Sequence, residues 1–398
     1  MRILVLAACP FPWRRGTPIR IHRLSEALAE RGHEVEVAAY FLGDEAIPVS
    51  FPVNRTRPLK FYNKTSPGPS LTKLMLLNPM LFQLARSLCS SKPFDLIYAH
   101  HIEALLVAKW LRMAGIETPI IYDAHTRIGE ELSVYGPAAL NSLKRVVGNW
   151  LDASLPASAD HIVTVSDELR ELFLNKAGKA DHQVTTIVNG VERDFISKAI
   201  AAKAGPHSES NVQSSARTVA FAGNLAAYQG IDLLLQAFAL VKAAEPEARL
   251  RLVTEGDFST FEQLAVSLQI ADAIDIVPSS LENLPAELAA ADVLVNPRAE
   301  CAGIPQKLLN YMASGTPTVS SSGSAKAITH DRNGLVVESG DVQAFAEAIV
   351  ALLRDPTRAR SLGLAAQTLV TRQYSWEAAA EAVENVWQSS LTGALPAS

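Results

Sequence analysis

One arrangement is written twice in this chain, and it leaves few folds open. "RILVLAA" is a short apolar run of strand character. A loop containing Gly16 follows, then an amphipathic stretch through "RIHRLSEALAERGH", then a second strand, "EVEVAAY". Past the middle the order returns: "TVAFAG", the loop "NLAAYQG", the helical stretch "IDLLLQAFALVKAAEPEA" and the strand "RLRLVTEG". Each is a βαβ opening. "FDLIYAHH", "PIIYDAH" and "HIVTVS" continue the first series, and "AIDIVP", "VLVNP" and "TPTVSSS" the second. Strands alternating with helices give parallel sheets covered on both faces. The repetition is one of pattern, not of residues, so a solenoid is excluded. The expected fold is α/β, two Rossmann-like doubly wound domains facing across a cleft.

With 398 residues, two domains are expected. The spacing places a first domain at 1–198, a linker at 199–217, rich in Ala, Ser and Gly, and a second domain at 218–374. A helix at 375–392 follows, with Ser375 as N-cap. Hydrophobic residues at 48% and charged residues at 19% describe a globular chain. A formal net charge of -5 without a basic tract argues against a nucleic-acid partner. Cys9, Cys89 and Cys301 lack CxxC spacing, which excludes a disulfide framework and most zinc sites and fits a reducing compartment. The opening apolar run carries Arg2 and stops at Pro10 and Pro12, so it reads as a first strand and not a signal peptide. No apolar run reaches the roughly 18 residues of a membrane span, and a cytoplasmic location is expected.

Ligands of open parallel sheets bind beyond the carboxyl ends of the strands. Gly16, His100, His101, His125, Ser166, Gly223, Glu255, Arg298 and Glu300 all stand at or just after such ends. The sharpest local signal is "GIPQKLLNYMASGTP". Lys307, Asn310 and Ser314 share one helical face, and Ile304, Leu308 and Met312 form an adjoining apolar stripe. Pro305 suits a first turn, while Gly315 and Pro317 end the helix. The helix entrance near Gly303 and Ile304 is suited to an anion. Lys307 stands where the helix dipole does not favour a cation, which an anionic ligand would reverse. Asn310 carries both a donor and an acceptor, fit for a ribose or base edge.

The other candidates each have a bland counterpart. The "GNLAAYQG" loop could cradle a phosphate, or need its glycines only for the turn. His125 in "YDAHT", near Asp123, Glu130 and Glu131, could meet a substrate hydroxyl or be structural. Glu300 could meet sugar hydroxyls or developing charge, or be a solvated loop residue. His100 and His101 point to opposite faces, and no HxxxH, HExxH or DxD pattern accompanies His125, so no metal site is expected. Segment 55–88 could lie against a membrane, but Leu74, Leu77, Leu81 and Leu84 read better as the buried face of a helix. The chain has no G-x-S-x-G, no P-loop and no full G-x-G-x-x-G.

In ordered succession, "PFPWRRGTPIRIHRLSEALAERGHEVEV", "DLIYAHHIEALL", "PIIYDAHT", "ADHIVTVSDEL", "TTIVNGV", "GNLAAYQGIDLLLQAF", "AAADVLVNPR", "GIPQKLLNYMASGTPTVSS" and "NGLVV" resemble the retaining glycosyltransferases of family 4. The resemblance implies a GT-B fold and transfer from a nucleotide-diphosphate sugar with retention of configuration. It implies no metal and no cofactor beyond the co-substrate. The donor would meet Gly223, Asn224, Gln229, Glu255, Arg298, Gly303, Ile304, Pro305, Lys307 and Asn310 in the second domain. Gly16, Thr17, Arg20 and His101 are the acceptor candidates in the first, with a sugar or a lipid-linked or polysaccharide precursor as acceptor. His125 and Glu300 are the catalytic candidates. The last helix would pack back on the first domain.

The chain departs from the family pattern where Asn224 and Gln229 replace an Arg and a Lys, and where Glu300 is two residues displaced from the first of two paired glutamates. Asn310 replaces the second. Lys307 and Arg298 would then supply the missing cation. A sugar-nucleotide epimerase or hydrolase, and a binding protein without catalysis, are the competing readings.

Overall fold

The computed structural model describes residues 1–13, 16–65, 70, 72–129, 132, 141–204, 217–280, 282–301 and 303–392. Two units emerge. The first holds Met1–Asn189 and the segment from Trp376, and the second holds Gly190–Ser375.

The first unit is built on strands β1 (Arg2–Ala7), β2 (Glu34–Ala39), β3 (Val53–Arg55), β4 (Leu96–His100), β5 (Ile120–Ala124), β6 (His161–Thr164) and β7 (Val184–Thr186). They lie in the order β3-β2-β1-β4-β5-β6-β7, and every pair is parallel. Side chains alternate across a strand, and β1 shows the result. Leu4 and Leu6 enter one core with Ile97, Ala104 and Leu81, while Ile3, Val5 and Ala7 enter another with Ile21, Leu24 and Trp376. The register aligns Ala7 with His100 and His100 with Asp123, so three strand ends finish in one row. From β1 the chain runs one way through β2 and β3 and the other way through β4 to β7, and a doubly wound sheet opens a crevice at that reversal, between β1 and β4.

The second unit repeats the plan with β8 (Arg217–Ala222), β9 (Ala248–Val253), β10 (Ile274–Val277), β11 (Val293–Asn296), β12 (Thr318–Ser321) and β13 (Leu335–Val337), in the order β10-β9-β8-β11-β12-β13. All pairs are again parallel. The reversal falls between β8 and β11, which end at Ala222 and Asn296, just before Gly223 and Arg298.

Three boundaries differ from the sequence expectation. The units divide at Asn189 and Gly190, upstream of the expected 199–217 linker. Residues Arg193–Ala204 form a helix of the second unit, with Ile196 and Ala199 buried; residues 205–216 lie outside the described set. That helix was missed because its apolar face is small and made mostly of alanine. The helix Gln306–Ala313 starts after Pro305, which is its N-cap in an extended conformation and not part of its first turn. Ser314 does not face outward either: it is fully buried and donates to the Tyr311 carbonyl at 2.7 Å. In segment 55–88, Leu77 and Leu81 are buried and Leu84 packs against their core, whereas Leu74 is exposed. The final helix, Trp376–Thr392, packs on the helix Gly16–Glu30 within the first unit.

Candidate functional site

In the first unit the row of strand ends carries a buried electrostatic cluster around Asp123, which is wholly inaccessible. Its Oδ2 accepts from the Tyr98 hydroxyl at 2.7 Å, and both oxygens accept from Arg20 Nε at 3.1 Å. Arg20 Nη2 lies 3.0 Å from Oδ2 and donates to the Ile187 carbonyl at 2.8 Å, while Nη1 donates to Asn189 at 3.1 Å. Arg20 was expected to contact an acceptor. It is 2% exposed, and all three of its nitrogens are engaged within the unit, so its work is to neutralise Asp123. Burial would raise the Asp123 carboxyl, but Arg20, the neighbouring histidines and Tyr98 outweigh it and hold the group at about 2.

Two imidazoles complete the cluster. His125 Nε2 is 3.4 Å from Asp123 Oδ1, and its Nδ1 is 3.3 Å from the Thr17 hydroxyl. His100 Nδ1 is 3.6 Å from Asp123 Oδ2 and 3.4 Å from His125 Nε2. Burial is the main cause of a lowered pKa in both, to about 4 for His100 and well below the ordinary value for His125. One atom each of His100, Asp123 and His125 lies within 4.8 Å of the others, a spacing a metal ion could use. Asp123 already carries a guanidinium on both oxygens, however, and a second cation would meet Arg20 at contact distance. His101 is separate. It opens the helix His101–Met113 at φ +72° and pairs with Glu103, which His101 and Lys73 hold at about 2 against burial. Gly16, at φ +35°, opens its helix in an exposed position. Glu130 and Glu131 lie outside the described residues.

In the second unit the centre is Lys307. Its ammonium stands 4.3 Å from the centre of the Phe221 ring and donates to Gln229 Oε1 at 2.5 Å. No carboxylate pairs with it among the described residues. Burial, and then repulsion from Arg298, lower its pKa to about 7. Gln229 is 5% exposed and is oriented by donating to Asn224 Oδ1 at 3.2 Å. Asn224 Oδ1 also accepts from the Ala226 amide at 3.2 Å, and its Nδ2 donates to the Tyr228 hydroxyl at 3.0 Å. Arg298 covers the Tyr228 ring at 4.8 Å and donates to the Glu300 carbonyl at 2.7 Å. The expected donor residues Gly223, Asn224, Gln229, Arg298 and Lys307 are thus brought together.

Around them the backbone is shaped by glycine. Gly223 adopts φ +146°, and a Cβ on Gly230, at φ +73°, would meet the Pro297 carbonyl at 2.7 Å. Gly303 is buried at φ +71°, Ile304 is half-buried, and no side chain caps the helix that follows Pro305. Asn310, half-buried, accepts from Gln306 at 3.5 Å. Glu255 and Glu300 are exposed, and their side chains join none of these contacts. Sequence reading missed Phe221, Tyr98 and the central place of Asp123. Asp123 had a signal: a carboxylate inside an apolar strand, two residues before His125 and so on the same face.

Comparison with known proteins places this geometry. Residues 15–190 match the family model described as glycosyl transferase 4-like domain, and residues 216–355 match glycosyl transferases group 1. The chain is built from two glycosyltransferase domains. Among its relatives, a phosphatidyl-myo-inositol mannosyltransferase of Mycobacterium leprae is 26% identical over 98% of each chain. A D-inositol 3-phosphate glycosyltransferase of Corynebacterium aurimucosum is 26% identical over 82% of this chain and 78% of its own. The fold matches Anabaena HepE, solved in complex with UDP, at TM-score 0.71 and 18% identity over 98% of this chain and all of that one. It also matches a sucrose-phosphate synthase of Thermosynechococcus elongatus at TM-score 0.70 and 20% identity, over 99% and 100% of the two chains. The glycosyltransferase is therefore of GT-B type, with two doubly wound parallel sheets.

Proposed function

We propose that this glycosyltransferase moves a sugar from a nucleotide-diphosphate sugar to a hydroxyl acceptor, with retention of configuration and without a metal ion. The observation that carries the reading is Lys307: a cation, largely buried, against an aromatic ring, with an amide oxygen and, among the described residues, no carboxylate as partner. Taking an ammonium out of water without a counter-charge is costly unless an anion arrives. A diphosphate at the uncapped entrance of the helix Gln306–Ala313 meets that need, with Arg298 as a second cation and Asn310 toward the ribose. Lys307 thereby takes the place of the basic residues that Asn224 and Gln229 replace. His125 serves the transferred sugar or the acceptor hydroxyl, and Gly16, Thr17 and His101 line the acceptor side.

The acceptor we favour is lipid-linked. Among the described residues no helix is long and apolar enough to cross a membrane. Phe61, Leu74, Met75 and Leu76 are nonetheless exposed within segment 55–88, which suits peripheral contact with a lipid surface. A relative named as a phosphatidyl-myo-inositol mannosyltransferase supports the same class.

The test is a panel of nucleotide sugars, read first by calorimetric binding and then by nucleoside diphosphate release with polyprenyl-phosphate-linked and phosphatidylinositol acceptors. Binding, release dependent on acceptor, resistance to a chelator and an α-linked product from an α-linked donor are expected. Binding without release on any acceptor would favour the non-catalytic reading, and release without acceptor the hydrolase.

A further inference from the structure

We propose that Asp123 is a positioning residue that fixes His125 in one tautomer, with the proton on Nε2 and Nδ1 left as an acceptor, which the Thr17 hydroxyl occupies until a substrate group able to donate a hydrogen bond displaces it. The inference deepens the transferase reading above and rests on it for its kinetic arm only.

The argument is geometric. An ionised carboxylate only accepts hydrogen bonds. His125 Nε2 lies 3.4 Å from Asp123 Oδ1, and a lone pair there would face the lone pairs of that oxygen. A proton on Nε2 removes the conflict. A neutral imidazole holds one proton, so Nδ1 becomes the acceptor, and the Thr17 hydroxyl 3.3 Å away can donate to it. Charge balance keeps the ring neutral. Arg20 contributes one positive charge and Asp123 one negative, in contact and fully buried, so an imidazolium would add an uncompensated charge to a closed cluster. His100 Nδ1, at 3.4 Å from His125 Nε2, offers the one competing arrangement: it could donate to that nitrogen and push the proton onto His125 Nδ1. The two arrangements predict opposite proton positions.

The neighbours of Asp123 also predict what its amide would do. Arg20 Nη2, Arg20 Nε and the Tyr98 hydroxyl donate to Oδ2, against Arg20 Nε alone on Oδ1. In Asp123→Asn the amide oxygen therefore stays on the side with more donors, and the NH2 group takes the place of Oδ1. It then donates to His125 Nε2 and moves the imidazole proton to Nδ1. A bare Nδ1 accepts a hydroxyl's hydrogen, whereas a protonated Nδ1 repels that donor.

The experiment uses the full chain labelled with 15N-histidine, with two-bond 1H–15N correlation spectra and His125→Gln to assign the ring. Wild type should show one neutral tautomer with Nε2–H from about pH 6 to about pH 8, and Asp123→Asn should show Nδ1–H. The same variant should lower kcat by roughly 10–100-fold, the usual cost of losing an orienting partner, while KM for the donor changes little. A wild-type proton on Nδ1, or the same tautomer in both proteins, overturns the proposal. If Asp123→Asn fails to fold, the wild-type spectrum decides alone, and Thr17→Val must leave Nε2–H in place. A correct tautomer in a protein that transfers no sugar would refute the transferase reading and spare this one. Transfer with the wrong tautomer would do the reverse.

Discussion

The two units share one construction and treat a buried cation in opposite ways. In the first, Arg20 is closed into a network with Asp123, Tyr98, Ile187 and Asn189. In the second, Lys307 rests on Phe221 and Gln229 with no carboxylate beside it among the described residues. A guanidinium that is paired before any ligand comes has nothing left to offer an anion, so the Arg20–Asp123 pair is neutral by itself. An ammonium held apart from carboxylates is already desolvated and attracts an anion strongly.

The contrast can be broken at either end. Arg20→Ala leaves Asp123 ionised and buried without its partner, and should destabilise the first unit by about 3–5 kcal/mol, read by urea denaturation. If stability is kept, Arg20 is not spent on Asp123. Lys307→Met should do the opposite: donor affinity falls roughly 10–100-fold, the equivalent of about 1.5–3 kcal/mol for a charged hydrogen bond, while the melting temperature holds or rises. Gly230→Ala, strained at φ +73° and blocked by the Pro297 carbonyl, should cost about 1–3 kcal/mol and weaken the donor through Gln229.

The smallest effect is the pH dependence. Lys307, near 7, is charged below that value, so affinity for a nucleotide sugar should decline from about pH 6 to about pH 8 and become flat in Lys307→Met. A sugar nucleotide is the right probe, since a free terminal phosphate titrates itself at about pH 6. In the first unit the lowered His100 means that the unfolded chain binds more protons between roughly pH 6.5 and about 4, so stability falls as pH drops through that window. The depressed Asp123 adds stability above its unfolded value, which is lost as pH falls toward about 2.

How much of this the sequence disclosed follows from distance along the chain. Buried parallel strands are short apolar runs, and β1, β4, β5, β8 and β11 could be read from them directly. β3, at three residues, is too short to carry a period. The loop at Gly223 and the helix after Pro305 were each visible as local motifs. Their meeting followed only from the family resemblance, and the direct bond from Lys307 to Gln229, which spans 78 residues, was not foreseen. Arg20 looked like a ligand contact because a helix shows its charges, and its partners lie 103 and 169 residues away. Local motifs carry no information on which charges distant residues have already satisfied, and Arg20 is the case in point.

The last helix has a consequence for how this protein is made. Trp376, Ala380, Val383 and Trp387 belong to the same core as Val5, Ile21 and Leu24, at the other end of the chain. Until the helix Trp376–Thr392 has left the ribosome, the amino-terminal unit lacks part of its interior. The carboxyl-terminal unit, contiguous from Gly190 to Ser375, needs nothing later. Domains generally fold as they emerge, first come first finished. Here the half synthesised second can be complete while the half synthesised first still waits.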